Sequence, residues 1–176
     1  LQDIARCERA AWKALKKGIP VVALKPGRST IGASLPISHT GSLSGSNELY
    51  QALFDRTGVI SVTSPAQFLE TLKLICVTGA PAGPRVAGFT CSGGGATMLA
   101  DHAENIGLSF PKVDPAQHDA LAALLPKIAT VSNPLDYTTP IWGQAEFTYP
   151  VFAKAIQAMD ADIAVLVQDY PAPDLD

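Results

Sequence analysis

Apolar residues recur at helical spacing over residues 3–17, at Ile4, Cys7, Ala11, Ala14 and Leu15, with charged residues on the opposite face. That period predicts an amphipathic helix. Gly18 stops it, and Pro20 leads into VVAL (21–24), an uninterrupted apolar run of the kind expected for a parallel strand buried on both faces. Residues 25–45, KPGRSTIGASLPISHTGSLSG, lose the periodicity and read as one long polar loop. A stretch of that length without structure inside a compact domain is usually functional. Helical spacing returns over residues 46–56, where Leu49, Ala52 and Leu53 share a side and Ser46 can cap the first turn. VISV (59–62) predicts a short strand, and Ser64-Pro65 opens a helix running to about Ile75.

GAPAGPR (79–85) interrupts the pattern and marks the predicted boundary between two modules, residues 1–79 and 84–176. The pattern then restarts. VAGFT (86–90) reads as a strand, CSGGG (91–95) as a tight turn and ATMLADHAENIG (96–107) as a helix ended by Gly107. A further helix is expected over 115–125, a strand at Val131-Ser132, a loop over SNPLDYTTP (132–140), a helix over 145–159 and a buried strand at DIAVLVQ (162–168). Strands alternating with helices argue for an α/β protein with parallel sheets. Right-handed crossovers then bring the loops that follow the strands to one sheet edge, where such folds bind ligands. Both Gly/Ser-rich loops, 25–45 and 91–95, follow strands.

Composition narrows the classes of function. Of 176 residues, 47% are hydrophobic and 16% charged, which favours a packed core over disorder. The net charge of −3 offers no basic field for nucleic acid. No apolar run approaches the roughly 20 residues that span a bilayer, and the charged, amphipathic start is no secretory signal. Cys7, Cys76 and Cys91 form no CxxC pair and read as reduced thiols, the pattern of a cytoplasmic protein. The three histidines, His39, His102 and His118, are scattered without a carboxylate cluster, so no metal site is expected.

Two features carry candidate chemistry. His39 stands in a polar loop as Ser38-His39-Thr40-Gly41, where a free imidazole can serve as base, ligand or nucleophile, or simply sit on the surface beside a hydroxyl. Ser92-Gly93-Gly94-Gly95 lies between a strand and a helix. Unpaired N–H groups and the positive end of the helix dipole make such a turn an anion site, while the same glycines also suit close strand–helix packing. The turn lacks GxGxxG spacing and the GK[ST] of a P-loop, so nucleotide binding is not expected there. Asn133 and Asp136 in SNPLDY can hydrogen-bond a phosphate-bearing loop or initiate a turn, and Lys25 and Arg28 flank a glycine where they can neutralise an anion or stay solvated. His102 and His118 sit in predicted helices and are given no role.

The order of these segments resembles a known family. ALKPGRSTIGASLPISHTGSLSGSNELYQALFDRTGVISV looks like the phosphohistidine segment of NDP-forming (ADP-forming) acyl-CoA synthetases, whose pattern is "LK-x-GRS…SHTG-x-x-x-G" followed by a helix and a "GV" strand. Residues 86–107 resemble the next module of that family, "TNSGGPGVLAAD", and SNPLDYT resembles its "NPVDLT". Cys91 stands where the family has Asn, and Gly95-Ala96 where Pro-Gly is common.

The resemblance implies two flavodoxin-like modules of the succinyl-CoA synthetase type, both incomplete. It also implies that acyl-CoA and phosphate give an acyl phosphate and CoA, that the phosphoryl group moves to a histidine, and that ADP then receives it. His39 matches the phosphorylated histidine, Ser38, Thr40, Gly41, Asn133 and Asp136 its supporting loops, and Ser92 with Gly93–Gly95 the phosphate-binding helix start. Coenzyme A and ATP/ADP with Mg²⁺ are implied for the full enzyme, together with a carboxylic acid or acyl-CoA substrate. LQD at the start resembles the residues after a family "LEG" whose Glu orients the histidine. The CoA-binding and ATP-grasp domains are therefore expected elsewhere, in cis or as subunits, and this chain alone is expected to be inactive. A homo-oligomer is compatible with this picture. The competing expectation is a non-catalytic, FdrA-like CoA-ligase domain that binds or regulates; a receiver-like domain would want an acidic cluster at a strand end, which is missing.

Overall fold

The computed structural model describes residues 3–34 and 46–168. The chain divides into two compact units, Leu1–Ala80 and Pro81–Asp176.

In the first unit, helix α1 (Ile4–Lys16) begins where the Asp3 carboxylate accepts the Arg6 N–H at 2.8 Å. It ends at Gly18, whose φ of 66° lies in the left-handed region that favours glycine. Lys13 and Lys16 in the last turn complement the helix dipole. Strand β1 (Val22–Leu24) pairs in parallel with β2 (Ile60–Val62), Val22 opposite Ile60 and Leu24 opposite Val62. Between them come a short helix, α2 (Thr30–Ser34), and α3 (Asn47–Thr57), capped by Ser46 and ended by Gly58 at φ 68°. Helix α2 corrects the expectation of an unbroken loop from residue 25. Ser29 explains it: its hydroxyl accepts the Gly32 N–H at 3.0 Å, as a helix cap does. Helix α4 (Pro65–Thr78) carries Pro at its first position and a Ser64 cap. Ala11, Leu53, Phe54 and Val62 form the small core, and Glu8 meets Arg56 at 3.0 Å between α1 and α3.

In the second unit, β3 (Val86–Thr90) is the central strand, and all five residues are buried. Its parallel neighbours are β4 (Leu135–Asp136) on one side and β5 (Ile163–Val167) on the other. Helices α5 (Gly93–Asn105), α6 (Pro115–Ala122) and α7 (Ala145–Ala158) surround this sheet. Phe89, Leu121, Leu135, Tyr137, Val151 and Ala155 make one continuous core, with the Phe152 ring packed at 4.8 Å from Phe89 and 5.1 Å from Tyr137.

Several expectations need correction here. Residues 132–140 are not a plain loop: they hold β4 and the start of a 3₁₀ turn, Thr139–Ile141. The strand lies at Leu135–Asp136 and not at Val131-Ser132, because Leu135 is the residue that drops fully into the core. The run at β1 reads as a strand buried on both faces and that at β5 as a buried strand, yet Leu24, Leu166 and Val167 are exposed, since each strand lies at a sheet edge among the described residues. An apolar run thus reports strand formation more reliably than position in the sheet.

At the N-terminal ends of β3 and β5 an ion pair ties the strands together. Arg85 Nε and Nη2 donate to the two Asp162 oxygens at 3.0 and 2.9 Å, and the Arg85 backbone N–H donates to Asp162 Oδ2 at 3.0 Å. Arg85 also pairs with Asp160. The Arg85 side-chain hydrogen bonds, reinforced by its backbone N–H and its charge, hold the Asp162 carboxyl down to about 2. A Cβ on Gly83 would come within 2.5 Å of Asp162 Oδ2, so glycine there keeps room for the pair.

Candidate functional site

The parallel strands place the C-terminal ends Thr90 and Asp136 side by side, in register with one another. Helix α5 starts just beyond, and this is the end of the sheet where α/β folds hold ligands.

Gly93, Gly94 and Gly95 are not a turn ahead of the helix, as the sequence pattern suggests, but its first three residues. The cap explains the earlier start: Ser92 Oγ accepts the Gly95 N–H at 3.1 Å. The three glycines do different work. A Cβ on Gly95 would overlap Thr90 Oγ1 and come within 3.2 Å of Ser92 Oγ, so this residue lets α5 close onto β3. Around Gly94 nothing lies within 4 Å of such a Cβ, so no packing demand explains this glycine. Among the described residues no acceptor takes the Gly93 or Gly94 N–H, and both residues are exposed. Two unpaired donors and the positive helix end form a polar, anion-favouring surface.

Asp136 sits at the rim of that surface. Its Oδ1 accepts the Thr138 N–H at 2.9 Å, and Oδ2 lies 3.7 Å from the position a Cβ would take on Gly93. A bound anion would share the helix end with this carboxylate. Thr138 has φ 68°, which strains a β-branched residue, and its buried Oγ1 has no partner among the described residues. Nothing in the sequence signals that conformation. Thr90 was also missed as a site residue, although a polar residue closing the apolar run VAGF was there to be noticed.

Asn133 is turned away from such a role. Its Nδ2 donates to Val86 O at 2.8 Å and Pro111 O at 2.9 Å, while Oδ1 accepts the Gly88 N–H at 2.9 Å. The side chain stitches its loop to β3. The Asn133–Pro134 peptide bond is cis.

Ser38, His39, Thr40 and Gly41 lie outside the described residues. The elements flanking them are described. Lys25 Nζ donates to Gly27 O at 3.2 Å and lies 4.9 Å from the centre of the Tyr50 ring. Arg28 is exposed. The Glu48 carboxyl, in the first turn of α3, is held below the usual range by its own backbone N–H, then by the Ser46 hydroxyl, with a contribution from Lys25. His102 and His118 are exposed on helices, and His118 Nδ1 lies 3.1 Å from Asp119. Among the described residues no three His, Cys, Asp or Glu side chains gather to hold a metal ion, and no helix is long and apolar enough to cross a membrane.

Known proteins resemble this chain in sequence and fold. A family model described as the succinyl-CoA ligase like flavodoxin domain matches residues 1–75. The alpha subunit of an ADP-forming acetate–CoA ligase II from Pyrococcus furiosus is 32% identical over 97% of this chain and 36% of its own length. A trans-feruloyl-CoA synthase from an unknown prokaryotic organism is 29% identical over 92% of this chain and 23% of its own. The solved structure of the Ca. Korarchaeum cryptofilum dinucleotide forming acetyl-coenzyme A synthetase 1, in complex with phosphate and ADP, superposes with a TM-score of 0.75 at 25% identity, covering 94% of this chain and 35% of that one. The chain thus spans about a third or less of the length of these relatives. Similarity running through both units, with the same parallel α/β modules in the solved relative, makes the chain a member of the ADP-forming acyl-CoA synthetase family, related to succinyl-CoA synthetase.

Proposed function

We propose that this chain is part of an acid–CoA ligase that interconverts acyl-CoA, phosphate and ADP with carboxylic acid, CoA and ATP, and that His39 carries the phosphoryl group. The observation that carries the proposal is similarity over 97% of the chain to an ADP-forming acetate–CoA ligase subunit. That stretch includes the SHTG motif around His39.

In this scheme phosphate attacks the thioester carbonyl, and CoA leaves as the acyl phosphate forms. An imidazole nitrogen of His39 then attacks phosphorus, the bond from phosphorus to the acyl oxygen breaks, and the carboxylate departs. ADP takes the phosphoryl group from the imidazole, giving ATP and restoring His39. Covalent catalysis of this kind divides one difficult exchange into easier transfers. A hydrogen bond from the second ring nitrogen to a carboxylate fixes the tautomer and leaves the first nitrogen free to attack. Ser38, Thr40 and Gly41 support that loop.

The phosphate-binding role in the second unit falls to the start of α5. The open N–H groups of Gly93 and Gly94 meet an anion, Ser92 holds the first turn and Gly95 seats the helix. Mg²⁺ bound to the nucleotide would neutralise charge on its phosphates. The CoA-binding and nucleotide-binding domains belong to the remainder of the polypeptide or to partner subunits, and the assembly works in the cytoplasm. The boundary between the two modules along the chain falls near residues 79–85.

The test is product analysis. The complete protein containing this chain, given a carboxylic acid, CoA and Mg-ATP, should release ADP and phosphate with the acyl-CoA, and His39→Ala should abolish turnover. Release of AMP and pyrophosphate instead would overturn the proposal, as would acyl-CoA formation by the His39→Ala protein.

A further inference from the structure

The first turn of α5 is faced by hydrogen-bond donors and by one acceptor. The N–H groups of Gly93 and Gly94 are open, as described above. Thr90 is only 2% exposed, and a Cβ on Gly95 would overlap its Oγ1, so its hydroxyl lies directly against this turn. That oxygen accepts the Ser92 N–H at 3.4 Å, but its own hydrogen meets no acceptor among the described residues. A buried donor left open is uncommon and implies an acceptor that the chain itself does not supply.

The acceptor is Asp136, in register with Thr90 across the β3–β4 pair. Its Oδ1 is committed to the Thr138 N–H at 2.9 Å, which fixes the carboxylate. Its Oδ2 lies 3.7 Å from the Cβ position of Gly93, and among the described residues it receives no hydrogen bond and pairs with no Lys or Arg. An ionised carboxylate only accepts. A ligand matched to this set therefore needs oxygens that accept and one hydrogen to give. Sulfate has no hydrogen to give, and its oxygens would meet Oδ2 as like charges. Singly protonated phosphate has three free oxygens and one P–OH, and an O–H donating to a carboxylate is among the stronger hydrogen bonds.

We propose that Asp136 makes the start of α5 selective for a phosphate that still carries a proton, the P–OH donating to Asp136 Oδ2 while the other oxygens accept from Gly93, Gly94 and Thr90. The inference rests on the phosphate-binding role given to α5 above. It adds a preference within the reaction: the doubly charged phosphoryl group of an acyl phosphate has no P–OH, so the site holds incoming inorganic phosphate more tightly than the acyl phosphate formed from it.

Three anions of similar size test this at mildly alkaline pH and fixed ionic strength: inorganic phosphate, sulfate and monofluorophosphate. All are then chiefly doubly charged, and only phosphate carries a proton. The complete protein containing this chain, labelled with ¹⁵N-glycine, reports binding through the amide resonances of Gly93 and Gly94, the latter identified by its loss in Gly94→Ala. Phosphate should shift these two resonances at concentrations about a hundredfold lower than either other anion, a smaller ratio than a fully enclosed site achieves. Asp136→Asn keeps an oxygen for the Thr138 N–H and presents an amide donor to the ligand. It should weaken phosphate about tenfold and tighten sulfate and monofluorophosphate about tenfold, bringing the ratio near one. Sulfate or monofluorophosphate binding the wild type as tightly as phosphate overturns the proposal, and so does a ratio unchanged in Asp136→Asn. If no anion shifts these resonances, the proposal falls together with the phosphate-binding role of α5. The ligase reading itself falls only if the complete protein releases AMP and pyrophosphate, so the two failures are told apart.

Discussion

Alanine at Gly94 and alanine at Gly95 should move the stability of the second unit in opposite directions. Neither glycine has a positive φ, so neither needs glycine for backbone conformation. At Gly94 a methyl group meets nothing within 4 Å, and the gain is the difference in backbone entropy and helix propensity, up to about 1 kcal/mol. At Gly95 the same gain is opposed by overlap with Thr90 Oγ1, which belongs to a stiff, buried side chain. Forcing a methyl group into such a contact costs about 1–3 kcal/mol. Disturbing the Ser92 cap adds about 1 kcal/mol, since that hydroxyl lies 3.2 Å from the new methyl position. Gly95→Ala should therefore destabilise by about 1–3 kcal/mol net, lowering the midpoint of a domain of this size by about 4–24 °C. Gly94→Ala should raise it by up to about 8 °C.

Trp142 lies in the second unit and Trp12 in the first, so fluorescence-detected melting in a Trp12→Phe background reports the relevant transition. A Gly95→Ala protein as stable as wild type would refute the packing assignment. So would a Gly94→Ala protein destabilised by more than about 1 kcal/mol, a loss that open space cannot produce. Gly94→Ala should nonetheless weaken inorganic phosphate binding, because its methyl group stands where an anion would approach the backbone. That effect separates binding from folding at adjacent positions.

The other structural expectations are also specific. Asn133→Ala removes the partner of Gly88 N–H and of the Val86 and Pro111 carbonyls and should cost about 2–4 kcal/mol in urea denaturation of the second unit; a loss under about 0.5 kcal/mol would show that water replaces all three bonds. The depressed Asp162 carboxyl predicts an acid limb of stability. Its folded value lies below its unfolded value, so its contribution is present above about pH 4 and is lost as pH falls toward 2. Asp162→Asn should flatten that limb of the pH–stability curve, and an unchanged limb would assign it to other carboxylates.

The sequence carried most of the secondary structure because its signals are local. Ser46 and Ser64 cap α3 and α4 where helical spacing begins, and Gly18 and Gly58 end α1 and α3 at positive φ. Prediction weakened where tertiary contacts decide. Gly93–Gly95 looked like a turn, since glycine is a poor helix former, but the Ser92 cap and the approach to Thr90 draw them into α5. Leu135-Asp136 is too short to show a period, and only its pairing with Phe89 and Thr90 makes it a strand. Asn133 read as a possible phosphate contact because an amide side chain is polar; its three backbone bonds depend on residues as far as 47 positions away. The strain at Thr138 had no local signature. Family membership was legible in the ordered motifs, LKPGRS, SHTG, CSGGG and SNPLDYT, more than in any one of them.

The central claim is that His39 becomes phosphorylated, and mapping the phosphoryl group tests it most directly. The complete protein containing this chain should be incubated with labelled ATP and Mg²⁺, digested without exposure to acid, and its peptides sequenced by mass spectrometry. The account predicts an acid-labile, base-stable label on His39, discharged to ADP when ADP is added and absent from His39→Ala. A label that persists in His39→Ala, or that maps as an acid-stable ester to Ser38 or Thr40, would contradict it.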